Sequence, residues 1–113
     1  MLKKERGNIM EQMEVKVFGK PGCEFCKTTV KKFETFFGRW NIDDTVAKLS
    51  FYDMETVDGL AEGAFYSVTK IPATVIERKA DVVRRWDGKV PLSEEFKEYF
   101  ISETVVVDKK EIN

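Results

Sequence analysis

The chain contains no histidine at all and only two cysteines, Cys23 and Cys26, with two residues between them. A closed zinc site takes four ligands, so within a single chain these two thiols are half a set. A site shared between two subunits stays open on this count. One close pair, with no further cysteines to staple the chain, makes a poor structural framework. It suits a reducing compartment, where such a pair is catalytic or metal-binding, and the expected location is the cytoplasm. Long apolar runs are missing too: none approaches the roughly 20 residues needed to span a bilayer. The basic start, Met1-Leu2-Lys3-Lys4-Glu5-Arg6-Gly7-Asn8, is followed by no apolar stretch, which argues against a secretory signal. Charge of one sign is also lacking, with 19 Lys and Arg against 20 Asp and Glu, a net −1. No global field draws such a chain to nucleic acid or to a membrane surface. Repeats and low-complexity segments are absent.

What is present fits one compact domain: 113 residues, 42% hydrophobic and 35% charged. Residues 1–13 read as a loose lead-in, 14–101 as the domain and 102–113 as a C-terminal extension. Val15-Lys16-Val17-Phe18, bounded by Gly19 and Pro21, predicts a first strand. From Glu24 the period becomes helical. Cys26, Val30, Phe33 and Phe37 share one face, and Gly38 is placed to close the helix. Residues 46–54 predict a second strand. Val57, Leu60, Ala61, Ala64, Phe65 and Val68 then form an apolar stripe at helical spacing, with Thr56 as N-cap, and this stripe is expected to face the core.

Gly59 and Gly63 inside that helix cost about 1 kcal/mol each against Ala, so packing must hold it. Pro72 sets the start of a third strand over residues 73–76. Residues 77–80 form a polar tip, and 81–86 return as a fourth strand. Pro91, or alternatively Ser93 with Glu94 and Glu95 behind it, opens a last helix. Leu92, Phe96, Tyr99 and Phe100 mark its expected buried face. Thr104-Val105-Val106-Val107 fits an added edge strand, pairing with another subunit or a draped tail equally well. The order strand, helix, strand, helix, strand hairpin, helix predicts a four-stranded mixed sheet in an α/β domain, with helices on both faces.

The cysteines fall where strand one passes into helix one. Only a thiolate attacks a disulfide, and an ordinary cysteine near pKa 8.5 is mostly protonated at neutral pH. Cys23 at the helix N-terminus meets unpaired amides and the positive end of the dipole. Lys20 and Lys27 act in the same sense, and Glu24 opposes them. Cys26 lies on the apolar stripe and is expected to be more buried and less acidic. Cys23 is therefore the candidate attacking thiol and Cys26 the resolving one. Pro21-Gly22 makes the turn and lets a partner's backbone approach. Two other readings stand beside this one: a metal- or iron–sulfur-carrying module with Cys23 shared across a dimer, and a non-catalytic adaptor whose cysteines are inert.

The run Lys20-Pro21-Gly22-Cys23-Glu24-Phe25-Cys26 between a strand and a helix resembles the Lys-Pro-x-Cys-Pro-Tyr-Cys of glutaredoxins, which share the thioredoxin fold. Lys70-Ile71-Pro72-Ala73 resembles the segment carrying that fold's cis-proline. Asp87-Gly88 resembles the family's glycine pair before the last helix, and Tyr52-Asp53-Met54-Glu55 the acidic end of its second strand. The likeness covers roughly residues 14–101.

It implies a thioredoxin fold in a thiol–disulfide oxidoreductase that reduces protein disulfides or glutathione mixed disulfides, in cell redox homeostasis and electron transfer. It implies a cis Ile71–Pro72 bond opposite Cys23, with the Ile71 backbone pairing with substrate. Lys20, Gly22, Phe25, Ile71, Pro72 and Gly88 are the implied substrate-binding positions. The chain departs from the pattern at Glu24 and Phe25, and it has Lys89, Val90 and Pro91 where glutaredoxins place a polar pair. Gly22 and Val17 stand where thioredoxins proper carry a Trp and a buried Asp. No metal and no tightly bound cofactor are expected. The expected reductant is glutathione or a thioredoxin-reductase-type flavoenzyme, and the expected state is a monomer.

Overall fold

A computed structural model describes residues 12–101. The elements are β1 Met13–Gly19, α1 Glu24–Arg39, β2 Ala47–Asp53, α2 Val57–Phe65, β3 Ala73–Arg78, β4 Asp81–Asp87 and α3 Ser93–Phe100. The four strands form one sheet in the order β2-β1-β3-β4, with β1 parallel to β2 and the other pairs antiparallel. Helices cover both faces. This is an α/β thioredoxin fold with a four-stranded mixed sheet, as the element order predicts. The segment Thr104 to Val107 and most of the lead-in lie outside the described residues.

β1 is central and covered on both faces, so all its residues except Glu14 are buried. Its side chains alternate between two cores. Val15 and Val17 meet Phe33, Phe36 and Phe37 of α1, Ile76 of β3, Trp86 of β4 and Phe96 of α3. Phe33 and Phe96 stack with centroids 4.2 Å apart, which ties α3 to α1. Phe18 faces the other way, into a smaller core with Tyr66, Ala73 and Val75. β1 also begins earlier than its β-branched run suggests. Met13 is 5% exposed and pairs with both Ala47 and Arg78, so sheet pairing extends the strand toward its start.

Three local expectations are corrected. Gly38 is helical, and α1 is closed instead by Asn41 in the left-handed region at φ 55°. Asn41 donates to the Gly38 carbonyl and Ile42 to the Phe37 carbonyl, the double bond of a Schellman end. In α3 the second of the two expected starts, Ser93, is the observed one; Pro91 precedes the helix, and Leu92 is its N-cap, 51% exposed rather than buried.

The largest correction is α2. Its apolar stripe faces solvent, with Val57 82%, Leu60 53% and Phe65 78% exposed. The helix meets the protein through its glycines. A Cβ on Gly59 would stand 2.5 Å from the Asp53 carbonyl carbon, and one on Gly63 would stand 2.6 Å from the Met54 methyl. Close approach of backbone needs the bare side, so the glycines turn inward and the larger side chains outward. The helix also stops at Phe65, where Ser67 takes φ 56°.

Candidate functional site

The site is built at the C-terminal end of β1. Lys20 to Cys23 form a turn closed by the Cys23 N–H donating to the Lys20 carbonyl, 3.1 Å. This leaves Cys23 extended (φ −89°, ψ 115°) as N-cap of α1, with its Sγ accepting from the Cys26 N–H at 3.1 Å. Cys23 and Cys26 are joined as a disulfide with Cα atoms 5.2 Å apart. Cys23 is half-buried and Cys26 has no exposure. The asymmetry expected from the helical stripe is therefore present in the packing.

Gly19 makes room for the pair. A Cβ there would collide with Cys26 Sγ and lie 2.7 Å from Cys26 Cβ. The β1–β3 ladder ends at Phe18 opposite Ala73, so Gly19 and Pro72 are adjoining residues just beyond the last pair. The Ile71–Pro72 peptide is cis. Gly88 joins this group through its N–H, which donates to the Pro72 carbonyl at 2.9 Å. Its φ of +78° suits glycine, and a Cβ would press on the Lys70 side chain at 3.2 Å. Pro72 is buried and Ile71 half-buried, while Gly88, Lys20, Gly22 and Phe25 are exposed, Phe25 to 68%. A groove of about 380 Å³ beside the turn is lined by Lys20, Pro21, Lys27, Val30 and Phe51 among others. Lys27 is 3.7 Å from Glu24 on the exposed first turn, so part of its charge is answered locally.

On the α2 face lies a buried charge network that strand reading missed. Lys16 Nζ donates to Tyr66 Oη at 2.7 Å and to Glu62 Oε2 at 3.1 Å, and lies 3.4 Å from Glu77 Oε1. Tyr66 donates in turn to Glu77. Burial pulls the Lys16 ammonium toward the neutral form, but the hydrogen bonds to Tyr66 and Glu62 and the Glu77 charge outweigh it and raise its pKa well above the usual lysine range. Burial, and then the bond to Glu77, hold the Tyr66 hydroxyl above its ordinary value.

Sequence gave no pointer to this beyond a lysine alternating with valines, a pattern that ordinarily means a solvent-facing position. Gly19 was legible only as a strand terminator, and Phe51 only as a strand residue. On the opposite face Thr74, paired with Val17, is fully buried, and its hydroxyl has no hydrogen-bond partner among the described residues. Among the described residues no cluster of three or more His, Cys, Asp or Glu converges as a metal site.

A helix N-terminus bearing a C-x-x-C disulfide, beside a cis-proline at the mouth of a four-stranded mixed sheet, defines a thioredoxin-fold dithiol protein. The thioredoxin domain family model matches residues 13–101, and the chain belongs to that family. Its structure is similar to oxidised thioredoxin O2 from Arabidopsis thaliana, with TM-score 0.68 and 11% identity over 81% of this chain and 78% of that one. It is also similar to Fasciola hepatica thioredoxin, with TM-score 0.61 and 21% identity over 80% and 79%. A thioredoxin f2 solved with ferredoxin:thioredoxin reductase gives TM-score 0.61 and 13% identity over 79% and 76%. At these identities the likeness is one of fold. No curated protein matches the chain.

Proposed function

We propose that the protein is a dithiol–disulfide oxidoreductase that reduces protein disulfides, serving redox homeostasis and electron transfer in a reducing compartment such as the cytoplasm. The observation that carries this reading is the Cys23–Cys26 disulfide at the N-terminus of α1, one cysteine half-buried and the other with no exposure. In the reduced protein the Cys23 thiolate attacks one sulfur of a target disulfide. A Cys23–target mixed disulfide forms, and the first target sulfur leaves as thiolate. The Cys26 thiolate then attacks Cys23 Sγ, the second target sulfur leaves, and the enzyme disulfide re-forms. Two electrons have passed to the target. The α1 amides and dipole favour the charged form of Cys23. Exposed Phe25 and Gly22, with Ile71, Pro72 and Gly88 opposite, supply an open, partly apolar seat for an extended substrate strand, and Lys20 adds a charge beside it.

The dithiol is regenerated by two electrons from a thioredoxin-reductase-type flavoenzyme or from two glutathione molecules. The family match and the reductase-bound thioredoxin f2 support a protein reductase, and the glutaredoxin-like run Lys20–Cys26 supports glutathione. Supplying oxidised protein with NADPH and thioredoxin reductase, or with glutathione, tests which regenerates free thiols. In the same assay Cys23→Ser abolishes insulin reduction, whereas Cys26→Ser accumulates a mixed disulfide. Turnover retained in Cys23→Ser overturns the proposal.

A further inference from the structure

We propose that the groove between α1 and α3 binds an acidic, extended segment of a partner protein. The groove has a volume of about 500 Å³ and is lined by four cations: Lys31, Lys32 and Arg39 from α1, and Lys97 from α3. Among the described residues no carboxylate lines it, although the chain as a whole carries a net −1. Positive charge is therefore gathered on this face rather than spread by composition.

Each cation's existing engagement leaves charge to spare. Lys32 Nζ donates to the Pro91 carbonyl at 2.9 Å, a neutral partner. Lys97 Nζ lies over the Trp40 ring, 5.0 Å from its centroid. Lys31 and Arg39 have no carboxylate within ion-pair distance among the described residues. Phe36 and Trp40 also line the groove, and Trp40 is 44% exposed. An exposed indole among unneutralised cations suits a ligand that brings both negative charge and an apolar side chain.

Spacing selects the form of that ligand. Lys31 and Arg39 are eight residues apart on one helix, about 12 Å along its axis. An extended chain covers that in about four residues, so carboxylates on alternate positions reach both ends. A single phosphate is too small to bridge them. None of Lys20, Cys23, Phe25, Cys26, Ile71 and Pro72 lines this groove, so the proposal stands apart from the redox reading.

A labelled eight-residue peptide with four Glu and one Phe is the probe, titrated into the full chain by fluorescence anisotropy at 50 and 300 mM salt. Saturable binding is expected, weaker at 300 mM because exposed charge pairs are screened. Lys31→Glu with Arg39→Glu is expected to weaken it at least tenfold, leaving the thermal midpoint and the reduction of a small aromatic disulfide unchanged. Lys31→Gln with Arg39→Gln gives the same reading should the charge-reversed pair fold poorly. A peptide with Gln for every Glu is expected not to bind. No saturable binding, equal binding of the Gln peptide, or indifference to both double variants overturns the proposal. Displacement of the peptide by equimolar pyrophosphate overturns it as well, and assigns the groove to a compact anion.

Discussion

Replacing Lys16 by Met is expected to destabilise the protein by about 3–5 kcal/mol, the range found when one partner of a buried ion pair is removed. The side chains of Lys16 and Glu77 are 10% and 8% exposed, and Glu62 is 33% exposed. Without the ammonium, the Glu77 carboxylate keeps the Tyr66 hydroxyl but loses its only cation within ion-pair distance among the described residues. Methionine keeps the stem's volume, so little of the loss comes from a cavity. Urea unfolding of the oxidised protein measures the change, read as a shift in midpoint at constant slope. Adding Glu77→Met removes the stranded charge and is expected to recover most of the loss. The pH dependence follows from the raised Lys16 pKa. Stability from a group whose pKa rises on folding is complete below its unfolded value, here the ordinary 10.5, and is lost as pH climbs through the folded one. The gap between wild type and Lys16→Met therefore stays constant from pH 7 to 10. A loss under 1 kcal/mol, or a double variant no more stable than the single one, would refute the reasoning.

Thr74 carries a fully buried hydroxyl without a partner among the described residues. Thr74→Val, nearly the same shape, is expected to stabilise by about 1 kcal/mol or more, visible as a raised urea midpoint, because a stranded hydroxyl costs about that much. Glu95 accepts from the Leu92 N–H at 3.2 Å and the Trp86 indole at 2.9 Å, and these, in that order, hold its pKa below the ordinary 4.5. Its contribution is present above 4.5 and lost as pH falls through the lower folded value, so Glu95→Gln flattens the acid limb of the stability curve.

Much of the fold was legible because its signals are local. Val15 to Phe18 reads as strand in any context, and the Cys26, Val30, Phe33, Phe37 spacing fixes the buried side of α1. Legibility fails where the deciding contact is distant in sequence. Hydrophobicity alone turns the α2 stripe toward the core, but Gly59 and Gly63 meet Asp53 and Met54, and that contact sets which side turns inward. The Lys16 network joins residues 46 to 61 positions apart, and nothing near Lys16 announces Tyr66 or Glu77. At the site, Cys23, Cys26 and Pro72 stood out by residue type. Gly19 did not, since its role is only the space left for Cys26. The four cations around the α1–α3 groove likewise look like an ordinary solvated face until α3 is seen beside α1.

The chemical role of the helix terminus is tested most directly by the reactivity of the two thiols in reduced protein. Iodoacetamide labelling from pH 5 to 9, resolved by peptide mass, follows each cysteine separately. The account predicts that Cys23 is modified rapidly below pH 7, with an apparent pKa clearly under the ordinary 8.5, while buried Cys26 resists. Equal, slow labelling of both, or faster labelling of Cys26, would contradict it.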